Sequence, residues 1–368
     1  MIIKNGLVFE PDGSFCNRTI YTRDGVIVSH ADADISDTEV IDASGHYVVP
    51  GFVDIHTHGA VGHDFCDADV EGLSEIARYE KSCGVTSFCP TSMTLPKDRL
   101  SDIFQTAKKI PNSPEYARIA GINMEGPFIA DSKRGAQNRE YIAEANTSMF
   151  QELNTLSGNL IRLVTLAPET PNAMEFIRAL HDDVHISVGH SAADYDTASA
   201  AFRAGADHVT HLMNAMPPFH HRDPGIVGAA MDQDHVMVEV ICDTIHIHPS
   251  MIRSIYRQFG PDRMILISDS MEATGMPDGV YSLGGQTVYK NGNHATLSDQ
   301  TLAGSATNLF DCFLHAIQLG IPAESVLRMV TVNPSRSIGM DKKIGTTAPG
   351  AYADLLLLDS DFHLVRVL

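Results

Sequence analysis

Eight short apolar runs, each followed by a stretch of helical character, constrain this chain more than any other feature. They cover residues 48–55, 85–89, 119–124, 160–166, 185–188, 208–212, 236–241 and 264–267. Between and after them the spacing changes from continuous to threes and fours, as a helix with one buried face requires. Met251, Ile252, Ile255, Tyr256 and Phe259 make one such face, and Ala306, Leu309, Phe310, Phe313, Leu314 and Ile317 another. Strand–helix alternation repeated eight times predicts an α/β fold, a (β/α)8 TIM-like barrel whose active site lies at the C-terminal ends of its strands. The two ends of the chain differ from this middle. Asn5-Gly6 and Asp24-Gly25 separate short apolar runs as hairpin turns do, and residues 355–358 and 364–367 look the same. The expected organisation is therefore a small β-sandwich domain from residues 1–50 plus 340–368, around a catalytic barrel of residues 51–339. The long segment 274–303, with the turn Asn291-Gly292, reads as a hairpin beside the mouth of the site.

The strand ends carry a second pattern. The first run ends in His56-Thr57-His58, whose residues two apart point to one side of a strand. The third ends in Glu125, the fifth in His190, the sixth in His211 and the eighth in Asp269. One strand-end histidine alone is more often a hydrogen-bonded core residue, and one carboxylate alone a helix cap. Four imidazoles and two carboxylates on a single rim point instead to a divalent metal site, because buried groups of these types need partners.

Composition excludes other classes. With 46 acidic against 26 basic residues the formal net charge is -20, which argues against nucleic acid or an anionic membrane as partner. An anionic substrate then needs a local basic group. The six cysteines are scattered without a C-x-x-C pair, as expected of buried thiols in a reducing compartment. No apolar run approaches membrane-spanning length and the N-terminus lacks a signal-peptide core, so a cytoplasmic location is expected.

These motifs together resemble the amidohydrolase superfamily and, within it, the N-acetylglucosamine-6-phosphate deacetylase family. The resemblance rests on the H-x-H pair, the two later histidines and the final aspartate. More narrowly it rests on Met124-Glu125-Gly126-Pro127-Phe128, Val188-Gly189-His190-Ser191, Thr210-His211-Leu212-Met213-Asn214-Ala215-Met216, His220-His221-Arg222-Asp223-Pro224-Gly225, Ile241-Cys242-Asp243-Thr244-Ile245-His246, and Leu302-Ala303-Gly304-Ser305. It spans essentially the whole chain. It implies that Glu125, His190 and His211 hold a primary metal and that His56 and His58 hold a second. The cofactor would be one or two divalent ions per subunit, zinc being expected and iron the alternative that the same donors accept. Asp269 would move the proton in amide hydrolysis. Ala136, Gln137, Asn214, Ala215, Arg222, His246, Leu302, Ala303 and Gly304 would contact an amino-sugar phosphate. Arg222, whose planar fork suits a phosphate, would reach in from a neighbouring subunit, which implies a homodimer. Two positions depart from the family pattern: Asn123 and Gln137 stand where histidines are common. Gln137 is expected to act as a neutral donor to the reacting carbonyl, with His63 as a second candidate. Alternatives are the same reaction on the galacto epimer, cyclic amide opening, or a barrel that has lost catalysis and serves as a scaffold.

Overall fold

The computed structural model describes residues 1–30, 39–111 and 113–368. Among these residues eight parallel strands form a barrel: β1 (Phe52–Thr57), β2 (Val85–Ser92), β3 (Ile122–Glu125), β4 (Ile161–Leu166), β5 (His185–Val188), β6 (His208–Val209), β7 (Met237–Ile241) and β8 (Met264–Ile267). Each is followed by a helix: α1 (Val70–Ser82), α2 (Lys97–Ala107), α3 (Thr147–Ser157), α4 (Ala173–Leu180), α5 (Tyr195–Arg203), α6 (Gly225–Met231), α7 (Pro249–Arg263) and α8 (Leu309–Gln318). Asp69, Asn146, Asp194 and Asn308 start α1, α3, α5 and α8 by accepting hydrogen bonds from the first free backbone N–H groups.

Neighbouring strands pair in sequence from β1 to β8. The seam between β8 and β1 closes just beyond β8. Thr57 bridges Ser270, their hydroxyls are 2.7 Å apart, and the Asp269 N–H donates to the His56 carbonyl at 2.9 Å. Val53, Ile55, Cys89, Leu163, Met237, Ile241, Ile265 and Ile267 fill the interior, with Ile338 and Ile344 packed against them. Residues on the other strand faces meet the helices; Phe52, fully buried, stacks on Phe310 of α8 at 5.4 Å. Burial of such a ring contributes roughly 1.5–3 kcal/mol.

The termini build two further sheets. One contains Val26–Val28, Ile20–Arg23, Ile2–Lys4 and Val40–Asp42; the other contains Leu364–Val367, Leu355–Leu358, Tyr47–Pro50, Leu7–Phe9 and Phe15–Asn17, in those orders. Ile3, Val8, Ile20, Ile27, Ile41, Val48, Leu355 and Leu357 form the apolar layer they share.

Four expectations change in detail. The run 48–55 is two strands, since Tyr47–Pro50 pairs with Leu355–Leu358 and only Phe52 onward enters the barrel. Gly51 makes the switch possible: a Cβ there would overlap the Thr86 side chain. The run 119–124 is interrupted, Arg118–Ile119 pairing with β2 before β3 begins. Segment 274–303 is a three-stranded antiparallel meander, Gly279–Leu283, Gln286–Asn291 and His294–Thr296, rather than a hairpin. Met251, assigned to the buried face of α7, is 36% exposed.

Candidate active site and metal centre

The rim is built by small departures from regular strand. Asp54 lies opposite Phe88 and Thr57 opposite Pro90, so three residues of β1 face two of β2. This bulge re-aims the chain. Ile55 still points into the barrel core, while the His56 and His58 imidazoles turn to the mouth. Asp54 accepts the backbone N–H groups of His56 and Ser268, tying β1 to β8. Burial pushes its carboxyl up to about 7 against those hydrogen bonds. His190, His211 and Asp269 each stand two residues past a strand, with φ of 46°, 26° and 49°. Left-handed backbone at three residues other than glycine is a local cost that clusters at working sites.

Six side chains meet there. The Nε2 atoms of His190 and His211 are each 3.1 Å from Glu125 Oε1 and 3.1 Å from one another. His56 Nε2 is 3.5 Å from Glu125 Oε1 and His58 Nε2 is 3.5 Å from Glu125 Oε2. Asp269 Oδ1 is 3.4 Å from His56 Nε2 and 3.3 Å from His58 Nε2. The far nitrogens are anchored: His56 Nδ1 by Glu239 at 2.9 Å, His58 Nδ1 by the Thr91 carbonyl at 3.1 Å, and His190 Nδ1 by the Lys133 carbonyl at 2.9 Å. An outer partner of this kind sets the tautomer and leaves Nε2 as the free donor.

These groups fit divalent ions. Tetrahedral donors about 2.0–2.1 Å from zinc lie roughly 3.3–3.4 Å apart, close to the spacing in the Glu125–His190–His211 group, and the ligand atoms of His56, His58 and Glu125 lie within 4.8 Å of one another. His56 Nε2 is buried and has no hydrogen-bond partner. The electrostatics ask for a cation as well. Burial alone would lower the His56 pKa, but Glu239, Glu125 and Asp269 outweigh it and carry it up to about 10. Burial would raise Glu125, yet His190 and His56 hold it well below the usual carboxylate range. Asp269 is likewise held low by His56 and His58 against burial.

The rim opens on a cavity of about 240 Å³ whose lining includes His58, Glu125, Ala136, Gln137, His190, His211, Asn214, Ala215, His246, Asp269, Leu302 and Gly304. Met93, Gly135, Leu283 and Thr301 complete it, and no lysine or arginine among the described residues lines it. His246 is held by Asp243 at 2.7 Å.

Three candidates are placed otherwise than expected, and a fourth, Arg222, lies away from its own cavity, as a role toward a neighbouring copy requires. Arg222 is exposed on its loop with its guanidinium 2.7 Å from His221 Nε2, outside the cavity of its own chain. Ala303 is wholly buried in the main core and donates its N–H to Ala295, so only its neighbours reach the cavity. His63 sits on the short ladder it forms with Ala60, against Gly72 of α1, and does not line the site. Gln137 lines the cavity, but both ends of its amide have partners: Nε2 donates to Glu125 Oε2 at 2.6 Å and Oε1 accepts from Thr94 N at 2.6 Å. It therefore orients the shared carboxylate. Sequence reasoning missed Glu239 and the role of Asp243. The one signal for Glu239 was a lone charge within the apolar run Met237-Val238-Glu239-Val240-Ile241.

The model of the amidohydrolase family matches residues 47–367. The chain belongs to that family. It is 35% identical to the N-acetylglucosamine-6-phosphate deacetylase of Bacillus subtilis over 99% of this chain and 91% of that one. It is 33% identical to the N-acetylgalactosamine-6-phosphate deacetylase of Escherichia coli O157:H7, over 94% and 91%. Among solved structures, a mutant N-acetyl-D-glucosamine-6-phosphate deacetylase from Mycobacterium smegmatis in complex with N-acetyl-D-glucosamine-6-phosphate superposes with a TM-score of 0.91 at 30% identity. That match covers 100% of this chain and 97% of the other. The barrel described above thus shares its architecture with that solved deacetylase.

Proposed function

We propose that this amidohydrolase removes the acetyl group of N-acetylglucosamine 6-phosphate, giving glucosamine 6-phosphate and acetate. The observation that carries the proposal is the convergence of four imidazoles and two carboxylates on one rim, five of these six groups lining the cavity and His56 buried behind them. Glu125, His190 and His211 would hold a primary divalent ion, and His56 and His58, with Glu125, a second; we take the ion to be zinc. When bound, such an ion lowers the pKa of water at the site to about 7 and polarises the acetyl carbonyl.

The chain's own residues do the rest. Asp269, kept ionised by the neighbouring imidazoles, accepts a proton from the attacking water. It returns that proton to the amide nitrogen as the C–N bond breaks, so acetate and a free amine leave. Gln137, itself held by the Thr94 N–H, holds Glu125 Oε2 in place. His246, Asn214 and the backbone at Leu302 and Gly304 bind the sugar. Among the described residues no lysine or arginine lines the cavity, which supports a homodimer in which Arg222 of one copy reaches the phosphate bound by the other. All six cysteines are free thiols, which supports a cytoplasmic location.

The test is acetate release from phosphorylated and unphosphorylated N-acetylglucosamine, and from the phosphorylated galacto epimer, with each metal restored after chelation. The expected result is a metal-dependent preference for the phosphorylated gluco sugar. A preference for the unphosphorylated sugar would remove the role given to Arg222.

A further inference from the structure

Glu239 lies at the centre of β7 between two valines and is fully buried. A carboxylate there costs folding free energy unless partners replace the water it gives up. Its Oε1 has no partner. Its Oε2 is 2.9 Å from His56 Nδ1 and 3.2 Å from the His211 backbone nitrogen. An apolar residue would suit the strand better, so the benefit of this side chain lies in what Oε2 touches. On the opposite edge of the same imidazole, His56 Nε2 is bare and faces Glu125 Oε1 at 3.5 Å and Asp269 Oδ1 at 3.4 Å. His58 and His190 are anchored on backbone carbonyls. The His56 ring is instead anchored on a side chain.

We infer that Glu239 is a positioning residue for a second divalent cation at the His56–His58 pair. It fixes His56 with its hydrogen on Nδ1 and aims the Nε2 lone pair into the gap between the two carboxylates. The inference rests on the metal-hydrolase reading above and adds the group that makes the second position usable. Outer partners of metal-bound imidazoles are worth about 10–100-fold in affinity.

The test counts ions. Full-length protein is loaded with zinc, dialysed against a weak chelator and analysed for metal, as wild type, Glu239→Gln, His58→Ala and the double variant. Glutamine keeps the shape and an acceptor oxygen but removes the charge. Wild type is expected to retain two ions per chain and Glu239→Gln one, its weaker position losing about 10–100-fold in affinity. His58→Ala should also retain one, and the double variant no fewer. Two ions retained by Glu239→Gln, or one by wild type, would overturn the inference. Loss of both from the double variant would show general support of the fold instead, and also overturn it. Should Glu239→Gln not fold, nitrogen NMR shifts of His56 in the wild type decide: hydrogen on Nδ1 supports the inference and hydrogen on Nε2 overturns it. Acetate release on the same samples reads the hydrolase proposal separately.

Discussion

The proton-transfer role proposed for Asp269 rests on an Oδ1 near two imidazoles that keep it charged. Asp269→Asn should lower kcat about 10²–10⁴-fold while leaving the retained metal unchanged, as acetate release and metal analysis would show. His246 gives a pH signature. Burial favours its neutral form, but the hydrogen bond and charge of Asp243 outweigh this and raise its pKa above 6.5. Its positive charge therefore persists above 6.5 and disappears as pH rises through the shifted value. KM for the phosphorylated sugar should rise across that window, and Asp243→Asn should move the rise toward lower pH in a KM–pH profile. At this scale the rim histidines and carboxylates were legible because polar residues ended apolar runs. Gln137 was not, since its partners Thr94 and Glu125 are set by folding rather than by spacing. Glu239 was hidden for the opposite reason: a single charge inside a strand reads as an irregularity until His56 is seen beside it.

Between residue and fold, two junctions carry consequences. Gly51 lets the chain leave the terminal sheet for the barrel only because no side chain fills the space of Thr86. Gly51→Ala should destabilise the protein by about 1–3 kcal/mol in urea unfolding. Thr86→Ala, placed in the same chain, should recover part of that loss. The meander after β8 is tied down by Glu272, which accepts the Ser282 N–H, and by Asp64, which accepts the Gly284 N–H at 3.0 Å. Burial pushes Glu272 up to about 7. A raised carboxylate favours the fold below its ordinary value of 4.5, and this contribution is lost as pH rises through about 7. Glu272→Gln should therefore raise the Tm at pH 8 relative to wild type, with the gain fading below pH 5. The number and type of barrel elements were readable from periodicity. The division of the run 48–55 and the bulge in β1 were not, because Pro50-Gly51 is the only local hint of the first and the second depends on pairing with β2.

For the whole molecule, eight alternating units were enough to indicate a barrel, and like termini enough to indicate a separate sheet region. What one chain cannot contain was not readable from local pattern. Among the described residues no lysine or arginine lines the cavity, and Arg222 lies outside it. If Arg222 serves a neighbouring copy, Arg222→Ala and Asp269→Asn are each inactive alone but complementary. Mixed and reassembled subunits should regain acetate release, because one site of each hybrid then has both groups; ultracentrifugation should show the dimer. The seam has its own consequence. Thr57 and Ser270, 213 residues apart in sequence, close the barrel beside His56, His58 and Asp269. The rim of six groups is therefore complete only where the eighth strand has closed on the first.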